Sequence, residues 1–217
     1  MPASYQVKSE SYTFAGHAIT VRSLKDLQQF SDPSGTAEIA GISSALWPIF
    51  GNVWPSGLIL AEIMGSYCVE NIRILEIGCG LGIPSLITRQ RGGDISACDI
   101  HPEAGVLMQR NCEINTLSAI PFFTCNWHDH HAEMGLFDLI IGSDLLYEAQ
   151  HPAQLAAFIA RHMHPHGQVI MIDPGRKLHG KFTRQMQNNG FIYSERRASA
   201  EQMALHKFSG KILSYAR

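Results

Sequence analysis

The chain has 217 residues, 45% hydrophobic and 17% charged, with a formal net charge of -2. That balance suits a globular domain long enough to bury a sizeable core, and it excludes the overall basic field that draws proteins to nucleic acid or anionic membranes. No run reaches the roughly 18–20 apolar residues of a membrane span, and Met1–Glu10 has neither an apolar core nor a signal-peptide pattern.

In chain order, a head of residues 1–54 precedes a more regular body of residues 55–217. Within the head, Ser11–Phe14 and His17–Arg22 are β-prone runs flanking Ala15-Gly16, a hairpin pattern. A short helix is expected at Leu24–Phe30, then a loop at Ser31-Asp32-Pro33-Ser34-Gly35. The stretch from Leu46 to Gly57 is aromatic and rich in Pro and Gly, so it forms neither a regular helix nor a central strand. An apolar helix follows at Leu58–Cys68. The body then reads as strand Ile72–Ile77, a glycine loop, helix Ile83–Gln90, strand Asp94–Cys98 and helix Pro102–Asn115. Strands Ile120–Cys125 and Phe137–Gly142, helix Pro152–Met163, strand Gln168–Ile172 and helix Phe182–Asn189 come next. Phe191–Ser194 and Phe208–Tyr215 suit a final antiparallel pair. Continuous apolar strands alternating with helices imply a mainly parallel sheet covered on both faces, with its strand C-termini on one edge.

The cysteines, Cys68, Cys79, Cys98, Cys112 and Cys125, are odd in number and contain no Cys-x-x-Cys pair, the usage of reduced thiols in a cytoplasmic protein. Histidines cluster at His128, His130 and His131 and at His162, His164 and His166. Neither group has the spacing of a zinc site, so no metal is expected.

Chemistry concentrates on the strand ends. Glu76, Asp99, Asn126, Asp144 and Asp173 each end or follow a strand, where open α/β sheets bind ligands. The first strand runs into Glu76-Ile77-Gly78-Cys79-Gly80-Leu81-Gly82, a loop whose glycines admit a ligand against the backbone. A dinucleotide fingerprint needs G-x-G-x-x-G, and position 83 is Ile. The Glu76 carboxylate would repel a pyrophosphate and suits a cationic amino-acid moiety. Asp99, 17 residues beyond Gly82, can accept ribose hydroxyl protons from any adenosine cofactor.

Glu-x-Gly-x-Gly-x-Gly with an acid at the next strand end resembles the class I, seven-β-strand, S-adenosylmethionine-dependent methyltransferases. The resemblance covers roughly residues 70–175. It implies a three-layer Rossmann-like sandwich: a mostly parallel seven-stranded sheet with an antiparallel C-terminal strand, and here a small N-terminal hairpin head on the cofactor-binding domain. It further implies that Gly78, Cys79, Gly80 and Gly82 line S-adenosyl-L-methionine, that Asp99 binds ribose, that Ile100 packs against adenine, and that Glu76 acts through water or by orienting the loop. Val53-Trp54-Pro55-Ser56-Gly57-Leu58, Asn126-Trp127 and Ser143-Asp144-Leu145-Leu146-Tyr147 are similar to segments of the protein lysine methyltransferase and nicotinamide-N-methyltransferase-like group. That likeness places Trp54, Asn126 and Trp127 at the cofactor and makes Asp144 and Tyr147 the catalytic candidates. Asp173-Pro174-Gly175-Arg176 resembles members acting on an electron-transfer flavoprotein subunit.

The implied reaction aligns a nucleophile with an activated methyl at about 3–3.5 Å and excludes water, so no catalytic triad or metal is required. A lysine nucleophile, with a reference pKa of about 10.4, must first lose a proton. Trp47, Phe50 and Tyr147 are candidate aromatic walls for its ammonium. Asp144 suits either the cofactor's amino group or the incoming amine. A protein lysine is the expected acceptor; a small heteroaromatic amine, or binding without turnover, is the alternative. A nicotinamide-dependent oxidoreductase fits less well. Nucleic acid is disfavoured because Ser143-Asp144-Leu145-Leu146 stands where amino-methylating DNA enzymes carry Asn/Asp-Pro-Pro-Tyr/Phe. The sequence specifies no oligomeric state.

Overall fold

The computed structural model describes residues 5–129 and 131–217. Strands Val7–Phe14 (β1) and His17–Leu24 (β2) form an antiparallel hairpin. A one-turn helix Thr36–Ile39 (α1), a 3-10 turn Trp47–Gly51 and helix Pro55–Ser66 (α2) follow. The body continues with Arg73–Ile77 (β3), Ile83–Gln90 (α3), Asp94–Asp99 (β4), Pro102–Ile114 (α4), Phe122–Thr124 (β5) and Phe137–Ser143 (β6). It ends with His151–His162 (α5), Met163–Asp173 (β7), His179–Asn188 (α6), Ile192–Arg196 (β8), Ala200–Leu205 (α7) and Lys211–Ala216 (β9).

Seven strands make one sheet in the order β5-β4-β3-β6-β7-β9-β8, parallel except for β9, which runs against both neighbours. The expected architecture is therefore present, including the antiparallel C-terminal strand and the hairpin. Period-two alternation divides the core. Ile74, Ile95, Leu139, Ile141, Ile170 and Ile172 join Leu60, Leu86 and Leu107 of α2, α3 and α4 on one face. Leu75, Ile77, Cys98, Ile140, Val169 and Met171 join Phe158 and Phe182 of α5 and α6 on the other.

The hairpin is anchored by side chains of α4 and its C-cap. Asn115 Oδ1 accepts the Thr20 N–H at 2.8 Å, and Asn111 Oδ1 accepts the Arg22 N–H at 2.7 Å. No helix forms at Leu24–Phe30. Leu24 completes β2, the Asp26 carboxylate captures the Gln28 N–H at 2.9 Å, and Gln29 reaches back to the Gln6 carbonyl at 2.9 Å. The third body strand is shorter than Ile120–Cys125, since Pro121 has no N–H to extend the ladder. β7 instead starts early. Met163 pairs with Phe137 and Gln168 with Leu139, so residues 164–167, with Pro165, loop out of the ladder. His162 closes α5 and its Nδ1 bonds the Gly135 carbonyl at 3.1 Å. His130 lies outside the described residues. Among the described residues no group of His, Cys, Asp and Glu gathers to hold a metal, and no helix is long and apolar enough to cross a membrane.

Helix α7 carries a capping box: Ser199 Oγ accepts the Gln202 N–H at 3.1 Å, and Gln202 Oε1 accepts the Ser199 N–H at 3.1 Å. Ser199→Ala is expected to cost about 1 kcal/mol of stability, measured by urea unfolding. An unchanged midpoint would show that α7 adds nothing to the cooperative unit.

Candidate functional site

Parallel register brings the strand ends together. Ile77 lies beside Cys98 on one side and Gly142 on the other, Asp99 beside Thr124, and Ser143 beside Ile172. The chain leaves β3 for β4 in one direction and later returns to add β6 in the other. A crevice opens at such a reversal. It is a cavity of about 370 Å³, lined by the twelve residues expected at the cofactor or in catalysis: Trp54, Glu76, Gly78, Cys79, Gly80, Gly82, Asp99, Ile100, Asn126, Trp127, Asp144 and Tyr147.

The glycine loop is shaped for close approach. Gly78, Gly80 and Gly82 have φ of 56°, 52° and 65°. At Gly80 a Cβ would stand 2.9 Å from the Phe50 carbonyl oxygen, so both the backbone conformation and the space require glycine. Asp99 braces the loop: Oδ2 accepts the Gly80 N–H at 2.8 Å and Oδ1 the His101 N–H at 2.9 Å. Burial pushes the Asp99 carboxyl up while these N–H groups pull it down. A carboxylate offers about four lone-pair sites, so roughly two remain for hydroxyl donors in the cleft. The Cys79 N–H donates to the Cys98 carbonyl at 3.1 Å, and burial holds the Cys79 thiol neutral.

Glu76 turns toward α3. Its Oε2 accepts the Ser85 N–H at 2.9 Å and the Ser85 hydroxyl. Two residues beyond Ile74, it shares the face that α2 and α3 cover. It thus ties the end of β3 to the first turn of α3. Burial pushes its carboxyl up to about 8.

Aromatic groups form the other walls. Trp54 Nε1 donates to the Ile49 carbonyl at 3.1 Å, leaving the ring as its contact surface. Trp127 and Tyr147 both meet the His151 ring edge-on, with centroids at 5.1 and 4.6 Å. The Asn126 side chain accepts the His128 N–H at 3.2 Å, shaping the turn after β5. Trp47 is no wall for a ligand. It is fully buried among Tyr5, Phe30, Phe50 and His101, whereas Phe50 lines the cleft and stacks on His101 at 3.9 Å.

Asp144 and Tyr147 sit in the turn after β6. Asp144 has φ 55° and donates its N–H to the Ile172 carbonyl at 2.8 Å. Its carboxylate is gripped by Arg176, Nε to Oδ1 at 2.7 Å and Nη2 to Oδ2 at 3.0 Å. Asp173 accepts the Gly175 N–H at 3.1 Å and so holds the loop that carries Arg176. Tyr147 is 46% exposed at the mouth, and burial of its phenol with nearby carboxylates pushes its pKa up to about 12.

Sequence reasoning gave His101 and His151 no part in this cleft, and named Arg176 only within the Asp173–Arg176 segment. His101 caps α4 by accepting the Glu103 N–H on Nδ1 at 3.2 Å, and burial lowers its pKa to about 4, so it stays neutral at pH 7. His151 Nδ1–H donates to the Leu145 carbonyl at 2.7 Å. Arg176 closes on Asp144. The His101-Pro102 start of a helix was a visible capping signal; His151 reaches six residues back to Leu145, and Arg176 meets Asp144 from 32 residues away.

The chain matches the lysine methyltransferase family over residues 43–189. It belongs to that family. Among similar lysine methyltransferases, the electron transfer flavoprotein beta subunit lysine methyltransferase of Xenopus laevis is 31% identical over 134 residues, 60% of this chain and 52% of that protein. The EEF1A lysine methyltransferase 3 of Mus musculus is 27% identical over 183 residues, 81% of this chain and 70% of that protein. This family member spans about half the length of the flavoprotein-modifying relatives it matches. Solved structures share the fold: a 16S rRNA N2 methyltransferase of T. thermophilus, in complex with AdoMet and guanosine, has a TM-score of 0.69 at 16% identity, covering 100% of this chain and 52% of that one. A methyltransferase from Pyrococcus furiosus has a TM-score of 0.57 at 16% identity, covering 71% and 79%.

Proposed function

We propose that the chain transfers a methyl group from S-adenosylmethionine to a lysine side chain of a protein, in a reducing compartment such as the cytoplasm. The observation that carries this reading is the convergence, in one cleft, of the Gly80–Asp99 cradle with the Asp144–Tyr147 turn. Family membership supports it. Five free thiols, four of them buried, support the compartment.

The cleft's donor set fits S-adenosylmethionine. Free lone pairs of Asp99 suit ribose hydroxyls, Ile100 and Trp127 offer apolar surface for adenine, and the left-handed loop at Gly78–Gly82 lets a chain of atoms approach without Cβ interference. When bound, the sulfonium supplies an already activated methyl group. The protein's part is to seat the acceptor amine and exclude water. Asp144 is placed to orient that amine, and the exposed ring of Tyr147 to flank it. Apolar side chains left exposed at or beside the mouth, Leu46 at 42% and Ile39 at 85%, favour a protein over a small amine.

The test is incubation with methyl-labelled S-adenosylmethionine and purified electron transfer flavoprotein beta subunit or EEF1A, alongside a lysate of the source cell. Label on lysine of a protein is the expected result. Label confined to the small-molecule fraction would replace the protein acceptor with a small amine.

A further inference from the structure

The Asp144–Arg176 pair is built from both sides. Its two parallel bonds form a fork, with the Asp144 side chain 13% exposed and the Arg176 side chain 44%. The Asp144 backbone is left-handed, a conformation Asp tolerates, and its N–H is held by the Ile172 carbonyl at 2.8 Å. The Arg176 N–H is accepted by both Asp173 carboxylate oxygens, at 3.1 and 3.3 Å. The guanidinium is therefore delivered to Asp144 by a loop that β7 holds in place, and both side chains line the cleft.

Methyl transfer sets Asp144 a conflict. A bare carboxylate beside the acceptor stabilises its ammonium, yet only the neutral amine has a lone pair to give. A bound guanidinium cancels that charge and occupies two of the carboxylate's roughly four acceptor sites. The others stay free for an N–H of the amine. We propose that Arg176 is a positioning residue: it neutralises Asp144 and aims its free lone pairs, so that Asp144 orients the acceptor amine without holding it protonated. This rests on the methyl-transfer reading above. In the step itself the ammonium first gives a proton to water. The amine lone pair then forms the N–C bond while the C–S bond breaks, its electron pair going to sulfur as a thioether, and the resulting methylammonium releases a second proton to water.

The other titratable groups around the pair are Asp99 at the end of β4, Tyr147 and Glu148 after β6, His151 at the start of α5, Asp173 at the end of β7 and His179 at the start of α6. Without Arg176 the carboxylates dominate this mouth, and the acceptor should need a higher pH to lose its proton.

The experiment compares wild type, Arg176→Gln and Arg176→Lys on the acceptor that the labelling assay identifies, across pH, with melting curves as the folding check. The acid limb of kcat should move up by about one pH unit in R176Q. R176K should keep the limb in place but lose kcat, because a point charge cannot reproduce the fork. Independently of turnover, the Arg176 Nε–H proton resonance should exchange slowly with water in the wild type and rapidly in Asp144→Asn. Superimposed pH profiles overturn the proposal. So does a lower KM with higher kcat/KM in R176Q at every pH, the mark of a displaced plug, or rapid Nε–H exchange in the wild type. Absence of any labelled acceptor with wild type sinks the methyl-transfer reading and the inference with it.

Discussion

Asp99→Ala should weaken S-adenosylhomocysteine binding roughly 100- to 10,000-fold by calorimetry. Hydrogen bonds to a charged partner contribute about 1.5–3 kcal/mol each, and two ribose hydroxyls facing the free lone pairs of Asp99 would lose both. Tenfold in affinity corresponds to about 1.4 kcal/mol. The same carboxylate holds the Gly80 and His101 N–H groups, so the alanine variant also loosens the loop. Asp99→Asn separates the effects, since it keeps an acceptor but loses the charge; its affinity should fall between the other two. If alanine leaves affinity within about threefold of wild type, Asp99 serves the loop alone.

Glu76→Gln should change how stability depends on pH. The Glu76 carboxyl, ordinarily near 4.5, is pushed up to about 8 by burial, although the Ser85 bonds pull against that shift. The folded protein therefore binds this proton more tightly than the unfolded chain does. Its contribution is fully present below about pH 4.5 and is lost as pH rises towards 8. Each unit corresponds to about 1.4 kcal/mol, and relaxation around a buried charge reduces the sum, leaving about 2–4 kcal/mol. Glutamine has no such proton to lose, and its carbonyl can accept both Ser85 donors. The variant should be the more stable protein at pH 8 by about 2–4 kcal/mol, with the gap closing in acid. Thermal unfolding across pH checks this; parallel curves for the two proteins would remove Glu76 as the source.

The central strands were legible because burial on both faces leaves a largely apolar run, unbroken in Leu139–Ile141 and interrupted only by Glu76 in Ile74–Ile77. Their ends were legible too, because right-handed crossovers put the C-termini of the parallel strands on one edge. That rule placed Glu76, Asp99, Asn126 and Asp144 on one cleft, and the methyltransferase resemblance implied the other eight residues from Trp54 to Tyr147. Local competition was harder to read. Leu24, Leu27 and Phe30 have helical spacing, yet Asp26 takes the Gln28 N–H, and Leu27 and Phe30 stay about half exposed. Helix α7 was readable from Ser199-x-x-Gln202 and was overlooked. The Arg176 fork carries no local signature. It depends on where two loops, 32 residues apart in the chain, meet in space.

The Phe50 carbonyl against Gly80 also has a consequence for how the protein is made. The 3-10 turn that walls the cleft leaves the ribosome before the glycine loop and before His101, on which Phe50 stacks. Residues 47–50 must wait for about 50 further residues to be synthesised, at about 5–20 per second, before they can dock. For some seconds of every synthesis Trp47 and Phe50, buried in the finished protein, have only the earlier Tyr5 and Phe30 to pack on and lack His101. The cleft wall is among the oldest parts of the nascent site and among the last to find its place.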